Sequence, residues 1–334
     1  MNAPLLGDAV LPPATGRPTL TCELAITVIM PCYNAAATLA ASIRCVLEQT
    51  HANTDLIVVD DGSSDDSVPV IEELVREHPG RVHLLRQDHQ GPYPARNLAL
   101  RAARGDCVAF LDADDTWTPD CLERLRDALL AADADLAYCG WQNVGPAAAS
   151  TESYVPLAYE DGDLYAEGLR GCPWPIHAAL VRREAVTAVG GFSERMFTSM
   201  DYDFWLRLLA YTRRIVRVPA VMAFYYWHGR QISTDRSRQV LDAVQVRKDF
   251  VAAHPECVAH LEPRRLRELT DGHLLKMAYR AYWSRQLATA QRLFRAAAAA
   301  GVCGWRDLPY VWLSKLPPRV FWTLIRLRDG SKSR

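Results

Sequence analysis

Short β-branched runs that alternate with helix-patterned segments, and that end in acidic turns, constrain this chain most. Ala25–Met30 (Ala-Ile-Thr-Val-Ile-Met) is one such run, stopped by Pro31; Leu56–Val59 is another, ending in Asp60-Asp61-Gly62-Ser63-Ser64-Asp65. Apolar runs without polar alternation read as strands buried on both faces. Between them Thr38 can cap a helix to about Gln49, with Leu39, Ile43, Val46 and Leu47 on one face. The alternation continues with a helix over Ser67–Glu77, a strand at Val82–Leu85, a helix over Pro94–Ala103 and a strand at Cys107–Leu111 that delivers Asp112. This pattern predicts an α/β fold, a mostly parallel sheet with helices on both faces. Such sheets bind ligands beyond the carboxyl ends of their strands. Both acidic clusters, Asp60-Asp61 and Asp112-Ala113-Asp114-Asp115, fall at such ends.

Downstream, the pattern predicts a helix over Pro119–Ala132, a strand at Leu136–Trp141 and an irregular loop at 143–170. A strand at His177–Val181 and a short helix at Arg183–Val189, closed by Gly190-Gly191, come next. Helical spacing at Asp201–Tyr211 and a strand pattern at Val216–Tyr226 follow. Beyond about Ser237 only helical patterns remain, including an Ala-rich pair near 273–300. These shifts divide the chain into a loose leader (1–23), an α/β domain (24–235) and a C-terminal helical region (236–334).

Composition narrows the function classes. A formal net charge of −1 over 334 residues excludes a protein built to coat nucleic acid. Nine cysteines without a Cys-x-x-Cys pair argue against a disulfide framework or a zinc knuckle, and fit a reducing cytosol. The Pro- and Ala-rich leader lacks the basic-then-apolar pattern of a signal peptide, and no run of about 18 apolar residues offers a transmembrane helix. The expected location is cytoplasmic.

The strand-end residues carry the chemistry. Carboxylates at i and i+2 on an extended segment point the same way, so Asp112 and Asp114 can share a site. A hard cation, Mg²⁺ or Mn²⁺, takes such oxygen ligands and keeps positions open for phosphate oxygens. An isolated Asp-x-Asp is more often a solvated turn; here it follows a buried strand and has a second acidic cluster for company. Asp60, as the last strand residue, is placed to accept the imide N–H of a uracil ring, while Ser64 or Asp65 suits a helix cap. Pro31-Cys32-Tyr33-Asn34 closes the first strand nearby, and the Tyr33 ring could stack on a base. Arg96, in the first turn after Gly91-Pro92-Tyr93-Pro94, faces the same edge and can hold either Asp112 or a donor phosphate.

The ordered set Val28-Ile29-Met30-Pro31-Cys32-Tyr33-Asn34, Val59-Asp60-Asp61-Gly62-Ser63, Ala95-Arg96-Asn97 and Phe110-Leu111-Asp112-Ala113-Asp114-Asp115 resembles family-2 glycosyltransferases of the GT-A fold, over about residues 24–230. The resemblance implies an inverting transferase that uses a nucleoside-diphosphate sugar, usually UDP-linked, with Mg²⁺ or Mn²⁺. It implies donor contacts at Pro31, Tyr33, Asn34, Asp60, Asp61, Arg96, Asp112 and Ala113. The metal ligands would be Asp114 and the late histidine His228. Gly190-Gly191-Phe192-Ser193-Glu194 and Met200-Asp201-Tyr202-Asp203 look like the base-bearing stretch of the family, which makes Asp201 the general base. Met200 stands where the family usually has Glu. Asp203, two residues on, belongs to another helix face.

Two rival enzyme classes are disfavoured. A sugar nucleotidyltransferase needs a Gly-rich basic loop where Pro31-Cys32-Tyr33-Asn34 stands, and a dinucleotide oxidoreductase needs Gly-x-Gly-x-x-Gly there. A donor-binding protein with impaired catalysis remains open because of Met200. The acceptor implied is a glycan or a lipid-linked glycan. At the C-terminus Trp305, Trp312, Phe321 and Trp322 interleave with Lys315, Arg319, Arg326, Arg328, Lys332 and Arg334. That mixture fits either peripheral contact with an anionic membrane or a helical cap packed on the domain.

Overall fold

The computed structural model describes residues 24–148, 150–228 and 236–330. The leader at 1–23, the domain boundary near 235, and Lys332 and Arg334 lie outside the described residues, as do the side chains of Arg326 and Arg328. β1 (Ile26–Cys32), α1 (Leu39–Leu47), β2 (Thr54–Asp60), α2 (Ser67–Glu77), β3 (Val82–Arg86), α3 (Pro92–Ala102) and β4 (Cys107–Phe110) form the predicted alternating half. β5 (Thr116–Trp117), α4 (Cys121–Ala131), β6 (Leu136–Val144), β7 (Ser153–Tyr154), α5 (Leu164–Arg170), β8 (Ala179–Arg182), α6 (Arg183–Ala188), α7 (Met200–Tyr211) and β9 (Ile215–Tyr226) complete the α/β part. Then come α8 (Arg236–Ala253), α9 (Pro255–Val258), α10 (Pro263–Trp283), α11 (Leu287–Ala299), α12 (Leu308–Ser314) and α13 (Pro318–Gly330).

One sheet runs in the order β3-β2-β1-β4-β8-β6-β9-β5, with β7 paired to β6. The first four strands are parallel, with Cys32 beside Asp60 and Ile29 beside Phe110. All seven residues of β1 are buried, as a strand covered on both faces requires. β8 enters antiparallel between β4 and β6, and β9 returns parallel to β6. β5 and β7, two residues each, were not anticipated, because strands that short have no periodicity to read.

The segment expected to be irregular at 143–170 is only partly so. β6 runs on to Val144, and α5 starts where the Asp163 carboxylate accepts the Ala166 N–H at 3.1 Å. The helical region is joined closely to the sheet domain. Val246 and Phe250 of α8 belong to the main core, whereas Val244 belongs to a second core built from α10, α11 and α13. The Ala-rich pair packs through Ala278, Ala281, Ala290 and Ala297, all buried. Small side chains there let α10 and α11 approach closely. Among the described residues no helix is long and apolar enough to cross a membrane.

Candidate active site

β2 and β4 flank β1, so their carboxyl ends stand two strand spacings apart, about 10 Å. Each end builds a corner of the site. At the first corner the Asp60 carboxylate folds back to accept the Ser63 N–H at 3.3 Å. Asn34, with φ 50, accepts the Ser64 N–H at 2.8 Å and donates its own N–H to Ser63, which ties the end of β1 to the turn after β2. Tyr33 is 48% exposed and stacks on His89 at 4.0 Å, so one ring face is taken. Asp61 points inward. Its carboxylate accepts from Gln87, from the Gln90 N–H and from the Gly91 N–H at 2.7–2.8 Å, and it pairs with His89 at 2.9 Å. Asp61 therefore shapes the loop before α3.

At the second corner Arg96 is 4% exposed and pairs with Asp112, its guanidinium lying over the rings of Tyr93 and Phe192. Burial opposes the charge on Arg96, but Asp112, Tyr93 and Asp201 outweigh it and raise its pKa. Ala113 is buried, and its small side chain fits the turn. Asp114 Oδ2 lies 3.0 Å from His228 Nε2. Burial first, then Asp115 and Asp112, push the Asp114 carboxyl up from 3.8 to about 7, against the pull of His228. Asp115 is fully buried, accepts the Tyr226 N–H at 2.8 Å and pairs with buried His177 at 2.9 Å. Through that bond the loop carrying Asp114 is fastened to β9, the strand that delivers His228.

α7 supplies the third part. Ser199, in the left-handed region at φ 61, turns the chain into the helix. The Met200 N–H donates to the Tyr93 hydroxyl at 3.3 Å, and the Met200 side chain is buried in the core. Position 200 thus contributes packing here, where a Glu would contribute charge. Asp201 shares its surroundings with Arg96, Asp112 and Tyr225; burial raises its pKa and Arg96 pulls it back. Asp203 faces away and pairs with Arg195 at 2.9 Å and Arg207 at 2.8 Å. Arg195 continues to Asp249 of α8 at 2.6 Å, so the helical region braces the helix that carries Asp201.

Residues 27–186 match Glycosyl transferase family 2, and residues 107–324, more than half of the chain, match Glycosyl transferase family group 2. The chain belongs to glycosyltransferase family 2. It spans 34% and 63% of the length of two uncharacterized bacterial glycosyltransferases, from Nostoc sp. and Haemophilus influenzae. An Escherichia coli relative, described as UDP-Glc:alpha-D-GlcNAc-diphosphoundecaprenol beta-1,3-glucosyltransferase, is 29% identical over 68% of this chain and 86% of its own. Staphylococcus aureus TarS 1-349 in complex with UDP-GlcNAc superimposes with a TM-score of 0.61 at 16% identity, covering 92% of each chain. A Pyrobaculum calidifontis mannosyltransferase in complex with GDP-Man and Mn²⁺ gives 0.54 at 18% identity, covering 93% and 88%. These structures share the GT-A fold with this chain.

Sequence reasoning did not single out His89, His177 or Arg195, and quoted Asn97 within a motif without giving it a role. His89, His177 and Asn97 lie far along the chain from their partners, and Arg195 reaches Asp249 54 residues on, so no local pattern marks these contacts. Asn97 is the clearest case: it donates to the Phe192 carbonyl at 2.8 Å and to Glu194 at 2.7 Å, and accepts the Phe192 N–H at 2.9 Å. It binds α3 to the loop that leads into α7. Gly191 sits against it at φ +69, where an added Cβ would lie 2.8 Å from Asn97 Oδ1. Gly191→Ala is expected to cost about 1–3 kcal/mol, from the left-handed backbone and the displaced Asn97. An unchanged urea midpoint for this variant would refute that account.

Proposed function

We propose that the transferase moves a sugar, with inversion, from a nucleoside-diphosphate sugar, in the first instance UDP-linked, to a hydroxyl of a glycan or lipid-linked glycan. The observation that carries this is the meeting, beyond the carboxyl end of β4, of Arg96 with Asp112 and of Asp114 with His228 at 3.0 Å, with Asp201 next to Met200, whose N–H donates to the Tyr93 hydroxyl beneath the Arg96 guanidinium. In this reading Asp60, Tyr33 and Asn34 lie at the base, Asp112 orients the ribose, and Arg96 holds Asp112 in place. Pro31, Asp61 and Ala113 shape the donor cleft. Asp201 takes the acceptor proton as that oxygen attacks the anomeric carbon and the bond to the diphosphate breaks. The inward location of Asp61 makes its part in donor binding indirect.

The residues fit a divalent cation. Asp114 and His228 present one carboxylate oxygen and one imidazole nitrogen 3.0 Å apart, a donor set suited to Mn²⁺ or Mg²⁺. No larger cluster of His, Cys, Asp and Glu able to hold a metal occurs among the described residues, so diphosphate oxygens would complete the shell. When bound, the cation would neutralise the charge that builds on the leaving group.

A panel of sugar nucleotides, read by release of nucleoside diphosphate, tests this reading. Release should occur with Mn²⁺ or Mg²⁺ and stop with chelator; release indifferent to chelator refutes the metal assignment. The pH dependence is an independent check. The Asp114 carboxyl is raised from 3.8 to about 7, so without a cation its contribution to stability is present below its unfolded value and lost as pH rises toward 7. A cation binds the ionised form, so it should raise Tm more at about pH 8 than at about pH 5. Equal shifts at both would count against Asp114 as a ligand.

A further inference from the structure

The C-terminal aromatic residues divide into two sets. Phe321 is buried in the second core and Trp322 packs against it, so these two cap the helical region. Trp305 and Trp312 do not: they are 76% and 67% exposed, and Leu308 between them is also exposed. Their spacing of three and four residues puts all three on one face of α12 and the short turn before it. The opposite face of α12 is committed, with Val311 and Ser314 buried and Tyr310 packed on Tyr279, Tyr282 and Phe294. Arg295 and Gln291 donate to the carbonyls of Ser314 and Leu316, which fixes the end of the helix. The tryptophan face is thus held outward on a firm support.

Each of these two tryptophans has a cation beside it. The Arg306 guanidinium lies 5.1 Å from the Trp305 ring and the Lys315 ammonium 5.2 Å from the Trp312 ring. α13 adds exposed Val320 and Leu324 one turn apart, with exposed Arg319. Asp307 is the single carboxylate between residues 301 and 325, and it is turned inward to the Tyr279 hydroxyl at 2.6 Å and the Gly304 N–H at 2.7 Å. Among the described residues 305–320, the outward side chains are therefore indole rings, aliphatic groups and cations. Indoles settle at the headgroup level of a bilayer, and neighbouring cations meet lipid phosphates.

We propose that the face formed by Trp305, Leu308 and Trp312, with Arg306 and Lys315, docks the protein on an anionic lipid bilayer. This extends the reading of a lipid-linked acceptor, but it is measured without donor or acceptor. Failure of donor turnover and failure of docking are therefore separate results.

The full chain should co-sediment with vesicles of phosphatidylglycerol and phosphatidylcholine, and far less with phosphatidylcholine alone. Binding should weaken as salt rises to about 0.5 M, since exposed charges are then screened. The Trp305→Ser/Trp312→Ser double variant should lower the partition coefficient by at least about tenfold. Arg306→Glu/Lys315→Glu should abolish the preference for anionic vesicles. Both pairs are exposed, so Tm should be unchanged. Tyr211→Ser, which removes an exposed aromatic elsewhere, should leave vesicle binding unchanged. Absence of vesicle binding, binding equal in the double variant, or a dimer of the chain that the double variant dissolves would overturn the proposal.

Discussion

Asp201→Asn is expected to lower kcat for glycosyl transfer by about 10²–10⁴-fold, the usual contribution of a positioned general base. Donor affinity should change little, because the donor contacts proposed at Asp60, Asp112 and Tyr33 are untouched. The amide is nearly isosteric, so the helix start and the Met200 to Tyr93 hydrogen bond should survive. Burial raises the Asp201 carboxyl above the ordinary carboxylate range, which makes it a stronger base than a solvated carboxylate once ionised. Steady-state kinetics with a fixed acceptor, beside direct titration of donor binding, separates the two effects. Full activity in this variant would place the base elsewhere. Equal loss of donor binding would mean that Asp201 holds the cleft together and does not act on the acceptor.

The second large effect is expected at Asp115, which touches no substrate in the proposed reading. Asp115→Ala leaves the Tyr226 N–H without its acceptor and His177 buried without its counter-charge. Removing one member of a buried pair costs about 3–5 kcal/mol. The damage should reach activity as well, because Asp114 immediately precedes Asp115 and Tyr226 lies two residues before His228. Asp115→Asn should cost less, since its amide oxygen can still accept the Tyr226 N–H. Thermal unfolding together with the cation concentration needed for half-maximal activity checks this. If Asp115→Ala melts with the native protein and needs no more cation, the proposed coupling between the acidic loop and β9 is wrong.

Legibility in the sequence followed how locally each feature is specified. The strands β1, β2 and β4 announce themselves as apolar runs, and their closing residues Pro31, Asp60 and Leu111-Asp112 follow directly. Arg96 was placed at the sheet edge by the Gly91-Pro92 turn before it, and the pairing with Asp112 was one of two partners that position allowed. His177 and His89 carry no such mark. A single histidine in an apolar stretch looks the same whether it is idle or paired with a buried carboxylate 62 residues earlier. The segment at 143–170 was read as irregular because α5 is only seven residues long, too short for a helical period to stand out.

The sequence by itself determined the alternating half of the sheet and the two acidic strand ends, because strand burial and turn chemistry are written over a few adjacent residues. Asp201 was reached through the resemblance of Met200-Asp201-Tyr202-Asp203 to the family's base-bearing stretch. Only the tertiary structure decided how these parts meet. The insertion of β8 between β4 and β6 carries the chain across the sheet, β9 brings His228 to Asp114, and Asp115 locks that meeting. It also decided that Asp61 faces a loop, that Met200 is core, and that the terminal aromatics divide into a buried cap and an outward tryptophan face. Those outcomes depend on contacts between residues distant along the chain, whose geometry no local period encodes.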